Sequence, residues 1–587
     1  MLQLQHLLTG VLNLYHLVVL NLESSNSSPK CRVQPGDPGF PTESQLNIFN
    51  SSIDGRLLSI IPSGGICQTR PGGCSDAEWY SASWRSTIPG AVLQVNWEEV
   101  WSSILKIART IDIERVRTIP QIPLHYVSAT APSADKETYQ SLGLMRQLLH
   151  ISSVRFAQTH NLKVAVKASG HDYLGRSTAK NSFLLWTREF QNIMFHDSFE
   201  VGDKNVGSAV TVGSGVTLRT LYQAAKKQGK IFVGGTAATV VAAGGYVQGA
   251  GHSALGPTFG LAADNALEFQ VVIADGSLVT ANEVSNPDLF WALCGGGAGS
   301  WGVIISTTFR VHPTFDAVYH VDIVVVNSIT QVAQLAEEHA RHIFDLDPLH
   351  AGQYFFATAT PPTFTWSFVT LFPNTTIAAA NTAISPFLNS VRALGFDVNT
   401  LVGMSPVNDV LSTAQDERGG IEVILGSRLW SSDVYRNKVT AIGTAYKTLF
   451  DSGIKNVLGH LVGGGQVSQN AHINNSVNPK WRTAKTHMVI ASSWSDSTTP
   501  AEVAVIRSDM TQKHVPVLAE IAGSNSGAYS NEADVNEPNF QTTFFGPNYA
   551  RLSKIKQIYD PDALFIVGAG VGSENWDSEG MCRLDQY

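Results

Sequence analysis

The chain has 587 residues, of which 43% are hydrophobic and 15% charged, and a formal net charge of −8. This is the mix of a well-buried globular protein with room for more than one domain. It carries no long basic run, which argues against nucleic acid as a partner, because duplex binding needs clustered Lys and Arg against phosphates.

Residues 7–22 form an apolar run close to the N-terminus. It is short for a spanning helix, which needs about 20 apolar residues, and it suits the core of a signal peptide over residues 1–23. No stable membrane insertion is expected. No Lys or Arg precedes the run, and Asn13, His16 and Asn21 interrupt it. A buried amphipathic helix or a signal anchor is therefore the other reading. Sequons at Asn26, Asn50, Asn374 and Asn474 fit a secreted, N-glycosylated protein. Of the five cysteines, Cys31, Cys67 and Cys74 lie in a loop-rich section spanning residues 24–117. A disulfide is expected there, Cys67 with Cys74 or Cys31 with either. The odd count leaves a free thiol. No Cys/His spacing resembles a zinc site, so no metal is expected. Trp79, Trp84, Trp97 and Trp101 imply that this section packs onto something.

From Ile119 the signals become regular. Residues 137–160 carry a helix-like apolar pattern ended by Asn161. Residues 163–168 alternate like a half-buried strand. Residues 183–186, 206–212 and 231–233 read as strands, and 218–227 as a helix. Residues 267–274 and 278–280 are strands joined by an Asp275-Gly276 turn. A helix over 287–293 and a strand over 303–311 close this section. After Pro313 the texture changes. Strands over 318–326, 355–359 and 364–372 alternate with helices over 331–344 and 377–394, the latter two strands joined by a Pro361-Pro362 turn. Further strands span 421–430, 457–462 and 488–494, and a helix covers 549–558. Strands paired by turns with helices between them point to an antiparallel sheet covered on one face.

Three glycine loops and a histidine loop stand beside these strands. Gly170-His-Asp-Tyr-Leu-Gly-Arg-Ser177 presents an imidazole, a carboxylate and a phenol just beyond a strand. Glycine lets such a loop turn tightly and approach a ligand. Taken alone, His171 could be an ordinary loop histidine. Residues 236–252 and 294–302 are the other glycine-rich segments. Gly249-Ala-Gly-His-Ser-Ala254 matches a dinucleotide pattern, and Asp275 follows it. A Rossmann site needs a helix directly after the loop, however, and Gly256-Pro257 and Gly260 leave no room for one. Several glycine loops beside strands fit a large anionic cofactor held by backbone amides.

Together the blocks carry a resemblance. Gly170–Ser177, Ala243–Ser253, Phe259-Gly-Leu-Ala-Ala-Asp-Asn265 and Asn286–Gly297 resemble the fungal FAD-linked oxidoreductases similar to berberine bridge enzyme, in the vanillyl-alcohol oxidase superfamily. Tyr529-Ser-Asn-Glu-Ala-Asp534, Phe545-Gly-Pro-Asn-Tyr549 and Tyr559-Asp-Pro561 fit the same family. The resemblance implies an α+β chain with a two-lobed, PCMH-type FAD-binding domain over 118–314. It further implies a substrate domain over 315–525, built on an antiparallel sheet covered by helices. A berberine-bridge-like segment over 526–587 would return to the FAD domain.

The same resemblance implies a covalent FAD on His171. The family's second linkage, a cysteine, is replaced here by Ala237, with only Ala238 next to it, so a single bond is expected. Cofactor contacts are expected from Ala168, Ser169, Gly170, Asp172, Gly175, Arg176 and Ser177. The second loop region would add Gly244, Gly245, Gly249, Gly251, His252, Gly260, Leu261, Asp264 and Asn265, and Gly302, Val303 and Asn548 complete the set. Cys294 is expected to be a buried small residue. Tyr173, Tyr529, Asn531 and Arg428 are the candidate catalytic residues. Glu532 would point to the opposite face if its segment is extended. Tyr173 could be a base or could pack beside the flavin. The implied activity is an oxidase that takes a hydride from a small organic molecule (an alcohol, an amine or a polyketide-like intermediate) and is reoxidised by oxygen, in secondary metabolism. A dehydrogenase using another acceptor, or a non-catalytic secreted flavoprotein, are the alternatives.

Overall fold

The computed structural model describes residues 31–98, 125–128, 150–412 and 418–584. The apolar run 7–22, Asn26, Trp101 and the first part of the 137–160 helix lie outside the described residues. Helical residues 150–159 end where Asn161 adopts a positive φ of 49°, a conformation that Asn tolerates better than most residues.

Two sheets make the first lobe. Strands β1 (Leu57–Ser59), β2 (His125–Ser128), β3 (Val164–Lys167) and β4 (Phe183–Trp186) pair in the order β1-β2-β4-β3, with β4 parallel to both β2 and β3. β5 (Ile193–Val201) and β6 (Lys204–Gly213) form a hairpin. The helix Leu218–Lys227 follows. Thr217 caps it by accepting from Thr220 N, and it buries Leu218, Leu221, Tyr222 and Ala225, one stripe at helical spacing. β7 (Lys230–Ile231) then leads to β8 (Ala266–Val272), β9 (Leu278–Asn282) and β10 (Val303–Arg310). These complete a sheet of order β5-β6-β10-β8-β9, and β11 (His312–Pro313) pairs back onto β7. β5 carried too many polar residues for its alternation to stand out in the sequence.

The second lobe is a seven-stranded, wholly antiparallel sheet. Its strands are β12 (Asp316–Val326), β13 (Gly352–Thr360), β14 (Thr363–Pro373), β15 (Val398–Pro406), β16 (Glu422–Ser431), β17 (Asn456–Leu461) and β18 (Ala484–Trp494), in the order β15-β12-β14-β13-β17-β18-β16. The helices Ile329–His342, Ile377–Ala393, Val439–Asp451 and Val515–Ala522 contribute to one core with one face of this sheet, where Trp366, Phe368, Met488 and Ile490 are buried. Because side chains alternate along a strand, the residues between them face the other way. On β18, Met488 and Ile490 face the helices, whereas Val489 joins Val423 and Leu425 of β16 in a small cluster that also touches Tyr173. The β17-β18-β16 end of the sheet therefore lies over the histidine loop of the first lobe.

The loop-rich N-terminal section contains short helices, among them Glu43–Ser52 and Ala82–Ser86. Trp97 Nε1 donates to Tyr173 O at 3.1 Å and Leu93 N to Gly170 O at 2.9 Å, so this section buttresses the histidine loop. Trp79 Nε1 reaches Gly420 O at 3.0 Å, on the far lobe. Cys67 pairs with Cys74, one of the expected pairings. Cys31, which the alternative paired with Cys67 or Cys74, pairs instead with Cys582. An isolated β-bridge sets these two residues side by side across 551 positions of sequence, a proximity that local spacing cannot announce. Cys294 is buried and free, and burial pushes its thiol well up. Among the described residues no helix is long and apolar enough to cross a membrane.

Candidate active site

A cavity of about 180 Å³ opens in the first lobe, against the C-terminal segment. Its wall comes from residues 166–177, 237–248 and 298–304 and from the C-terminal segment at 529–532. The histidine loop and the other two glycine-rich segments therefore meet at one space. The wall includes Ala168, Ser169, Gly170, His171, Asp172, Tyr173, Arg176, Ser177, Gly244, Gly245, Gly302, Tyr529 and Asn531.

The histidine loop is held by its own polar groups. Gly170 takes a φ of +87°, and a Cβ there would meet Ala91 O at 3.2 Å. Asp172 accepts from Leu174 N at 3.0 Å and from Ser177 N at 2.5 Å, so its carboxylate shapes the loop. Arg176 is buried and donates to the carbonyls of Gly568, Ser530 and Ala569, tying the loop to the C-terminal segment. Burial lowers its guanidinium to about 10, opposed by Asp172. His171 Nε2 lies 2.5 Å from Thr239 Oγ1, a partner in the second loop that the sequence did not single out. Ala237 lines the same wall.

At the C-terminal wall, Asn531 Nδ2 donates to Gly245 O at 2.8 Å and to Tyr529 Oη at 2.9 Å. Burial, together with Glu532, raises the Tyr529 phenol far above its ordinary range. Tyr529 is thus a neutral wall residue and no proton acceptor near neutrality. Glu532 also lines the cavity, contrary to the placement expected for an extended segment. Glu532 N donates to Tyr529 O at 3.0 Å, which closes a turn, and alternation does not apply in a turn. Its carboxylate sits 3.2 Å from His252 Nε2 and 3.6 Å from His487 Nδ1. Burial opposes its ionisation, but the adjacent His252 outweighs this and lowers it below its ordinary range. Burial pushes His460 down to about 3 and His487 well below its ordinary value.

The remaining residues expected at the cofactor do not line this cavity. Gly175 has a φ of +75° and backs onto the Trp97 ring. Gly249 packs on the Asn531 amide, where a Cβ would come within 2.4 Å. Gly251 and Gly260 hold positive φ angles of 72° and 86°. The helix Gly256–Phe259 has 4 residues, too few for a Rossmann unit. Asp264 forms a buried ion pair with Arg482 at 2.7 Å. Asn265 donates to the carbonyls of Phe259 and Leu261. Leu261 and Val303 are buried apolar residues. Asn548 donates to the carbonyls of Ser476 and Val477. Together they scaffold the loops that form the wall. Arg428 also lies off the cavity wall: it pairs twice with Glu537, at 2.9 and 3.0 Å, with both side chains buried. Its charge is committed to that pair, so it is not free to face a ligand.

Known proteins are similar to this chain. The family "FAD binding domain" matches residues 150–282, and "Berberine and berberine like" matches residues 528–572. An uncharacterized FAD-linked oxidoreductase of Arthroderma benhamiae is 36% identical, with 94% of this chain and 96% of that protein covered. The chain belongs to the FAD-linked oxidoreductases of the berberine bridge enzyme-like, VAO-type family. The flavin-dependent oxygenase ucdF of Aspergillus ustus is 31% identical to this oxidoreductase, with 92% of this chain and 99% of the relative covered. The crystal structure of the VAO-type flavoprotein MtVAO615 from Myceliophthora thermophila matches with a TM-score of 0.79 at 27% identity, covering 94% of this chain and all of that one.

The cavity of this oxidoreductase fits FAD. A Cβ at Gly244 would lie 3.2 Å from Ala168 Cβ, and one at Gly245 would lie 3.2 Å from Ala298 Cβ. Any larger residue at either position would crowd the facing loop and narrow the space for a flat, extended cofactor. Arg176 spends its N–H groups on carbonyls, so phosphates would be met by loop amides, as glycine-rich turns do elsewhere.

Proposed function

We propose that the chain carries FAD on a single covalent bond from His171 and oxidises a small organic molecule such as an alcohol, an amine or a polyketide-like intermediate. Bound there, the flavin would accept a hydride and be reoxidised by oxygen, giving hydrogen peroxide. The observation that carries this reading is the position of His171 on the cavity wall, with Ala237 rather than a thiol on the facing loop.

The chain's own residues would divide the remaining work. Thr239 fixes the orientation of the His171 ring through its hydroxyl. Tyr173 lines the cavity and packs against the inner face of β16 and β18, where a substrate entering between the lobes would pass. We assign it the relay of the substrate proton; removing a positioned acid or base of this kind typically costs about a hundred- to ten-thousandfold in rate. Tyr529 and Asn531 set the shape and polarity of the wall and hold their own protons. The N-terminal run, the two disulfides and the exposed sequons support a secreted, glycosylated protein.

The test is acid denaturation of the purified protein. The flavin should stay on the wild-type chain and leave the His171→Ala variant. Flavin retained covalently by His171→Ala, or a cysteinyl adduct on the wild type, would overturn the linkage.

A further inference from the structure

The three histidines His252, His460 and His487 and the carboxylate of Glu532 come from four separate segments and converge on one point beneath the cavity wall. His252 belongs to the second glycine loop, His460 to β17, His487 to β18 and Glu532 to the C-terminal turn. One ligand-capable atom from each lies within 4.8 Å of all the others. The expectation of no metal rested on spacing along the chain, which cannot register a site assembled this way.

The distances decide between a hydrogen-bonded cluster and a metal site. His252 Nε2 to Glu532 Oε1 is 3.2 Å, His460 Nδ1 to His487 Nδ1 is 3.4 Å, and His487 Nδ1 to Glu532 Oε2 is 3.6 Å. Good hydrogen bonds between such atoms are about 2.7–3.2 Å. A tetrahedral zinc with ligands at about 2.0–2.1 Å has edges of about 3.3 Å, close to these three separations; the other separations lie within 4.8 Å, so the ligands would draw together on binding. The ring centroids of the three imidazoles are 5.1, 5.5 and 5.5 Å apart. Rings pointing radially at one zinc would place them about 5 Å apart. A cation receiving a lone pair from each of the four would satisfy them all.

We propose that these four residues bind one zinc-class divalent cation. With four protein ligands the site is closed, as structural zinc sites are. It would join the second glycine loop, the substrate sheet and the C-terminal turn. Tyr529, whose ring packs edge-on at 5.2 Å from His252 and 5.6 Å from His487, would be held in place by it. Glu532, with 24% of its side chain exposed, offers the entry path from the cavity.

The experiment uses full-length holoenzyme purified without any metal-affinity step. Elemental analysis should find about one zinc per chain, as a single closed site requires. Cobalt exchanged into the protein should give the ligand-field bands of a tetrahedral centre, at longer wavelength than oxidised flavin absorbs. Chelation with dipicolinate should lower the unfolding temperature, and zinc should restore it. Glu532→Gln, which keeps the side-chain shape, and His487→Ala should each weaken zinc retention by more than about 100-fold, beyond the effect of losing an outer hydrogen-bond partner. If His487→Ala fails to fold, Glu532→Gln decides by itself. The proposal is overturned if the wild type has less than about a tenth of an equivalent and takes up no zinc, or if Glu532→Gln holds zinc as tightly as the wild type.

Discussion

Removing the Arg428–Glu537 pair separates a structural arginine from a catalytic one. The two side chains are 8% and 6% exposed, they share two charge-assisted hydrogen bonds at 2.9 and 3.0 Å, and Thr543 Oγ1 adds a third to Glu537 at 3.2 Å. Replacing Arg428 by Met leaves a buried carboxylate without its cation. Breaking such a pair costs about 3–5 kcal/mol, because the remaining charge is neither paired nor solvated. At about 2–4 °C per kcal/mol for a lobe of this size, the unfolding midpoint should fall by about 6–20 °C. Glu537→Gln should fall less, since the amide still accepts one bond. The assay is thermal unfolding followed by flavin fluorescence, together with anaerobic flavin reduction below the transition. Reduction should stay within about threefold of wild type, well short of the loss expected from a missing acid or base. A variant with an unchanged midpoint and a reduction rate more than about a hundredfold lower would show that Arg428 takes part in the chemistry.

Three further outcomes are expected. Tyr173→Phe should keep the fold and the flavin but slow anaerobic reduction by about a hundred- to ten-thousandfold, leaving reoxidation unchanged; a change within about threefold would make Tyr173 a packing residue. Burial holds His339 down at about 4, offset in part by its bond to Gln353, while an unfolded histidine titrates near 6.5. The unfolded chain therefore binds a proton that the folded one refuses, so this group's stability is present above pH 6.5 and lost as pH falls through 4, by up to about 3 kcal/mol. His339→Gln should flatten the fall of the unfolding midpoint over that window, and an unchanged slope would refute the assignment. Among the sequons, Asn374 and Asn474 are exposed on turns or loops, whereas Asn50 lies in a helix with its side chain accepting from Leu57 N at 2.8 Å. Glycopeptide mapping of secreted protein should find sugar on the first two and none on Asn50.

What the sequence determined by itself is local. The strands around 164–167, 266–272 and 303–310 and the helix Leu218–Lys227 announced themselves because their hydrophobic period matches their geometry. The glycine loops were legible because positions such as Gly170 and Gly302 need φ angles or close approaches that only glycine supplies cheaply. Those blocks were enough to point to His171, Tyr173 and Ala237, which line one cavity. Tertiary structure alone decided where long-range pairs go. It closed Cys31 onto Cys582, turned Glu532 into the cavity and committed Arg428 to Glu537. It also drew His252, His460 and His487 together from two lobes. None of these follows from spacing along the chain, because each depends on how one lobe and the C-terminal segment pack onto the other, and that packing is set by buried area and not by any motif.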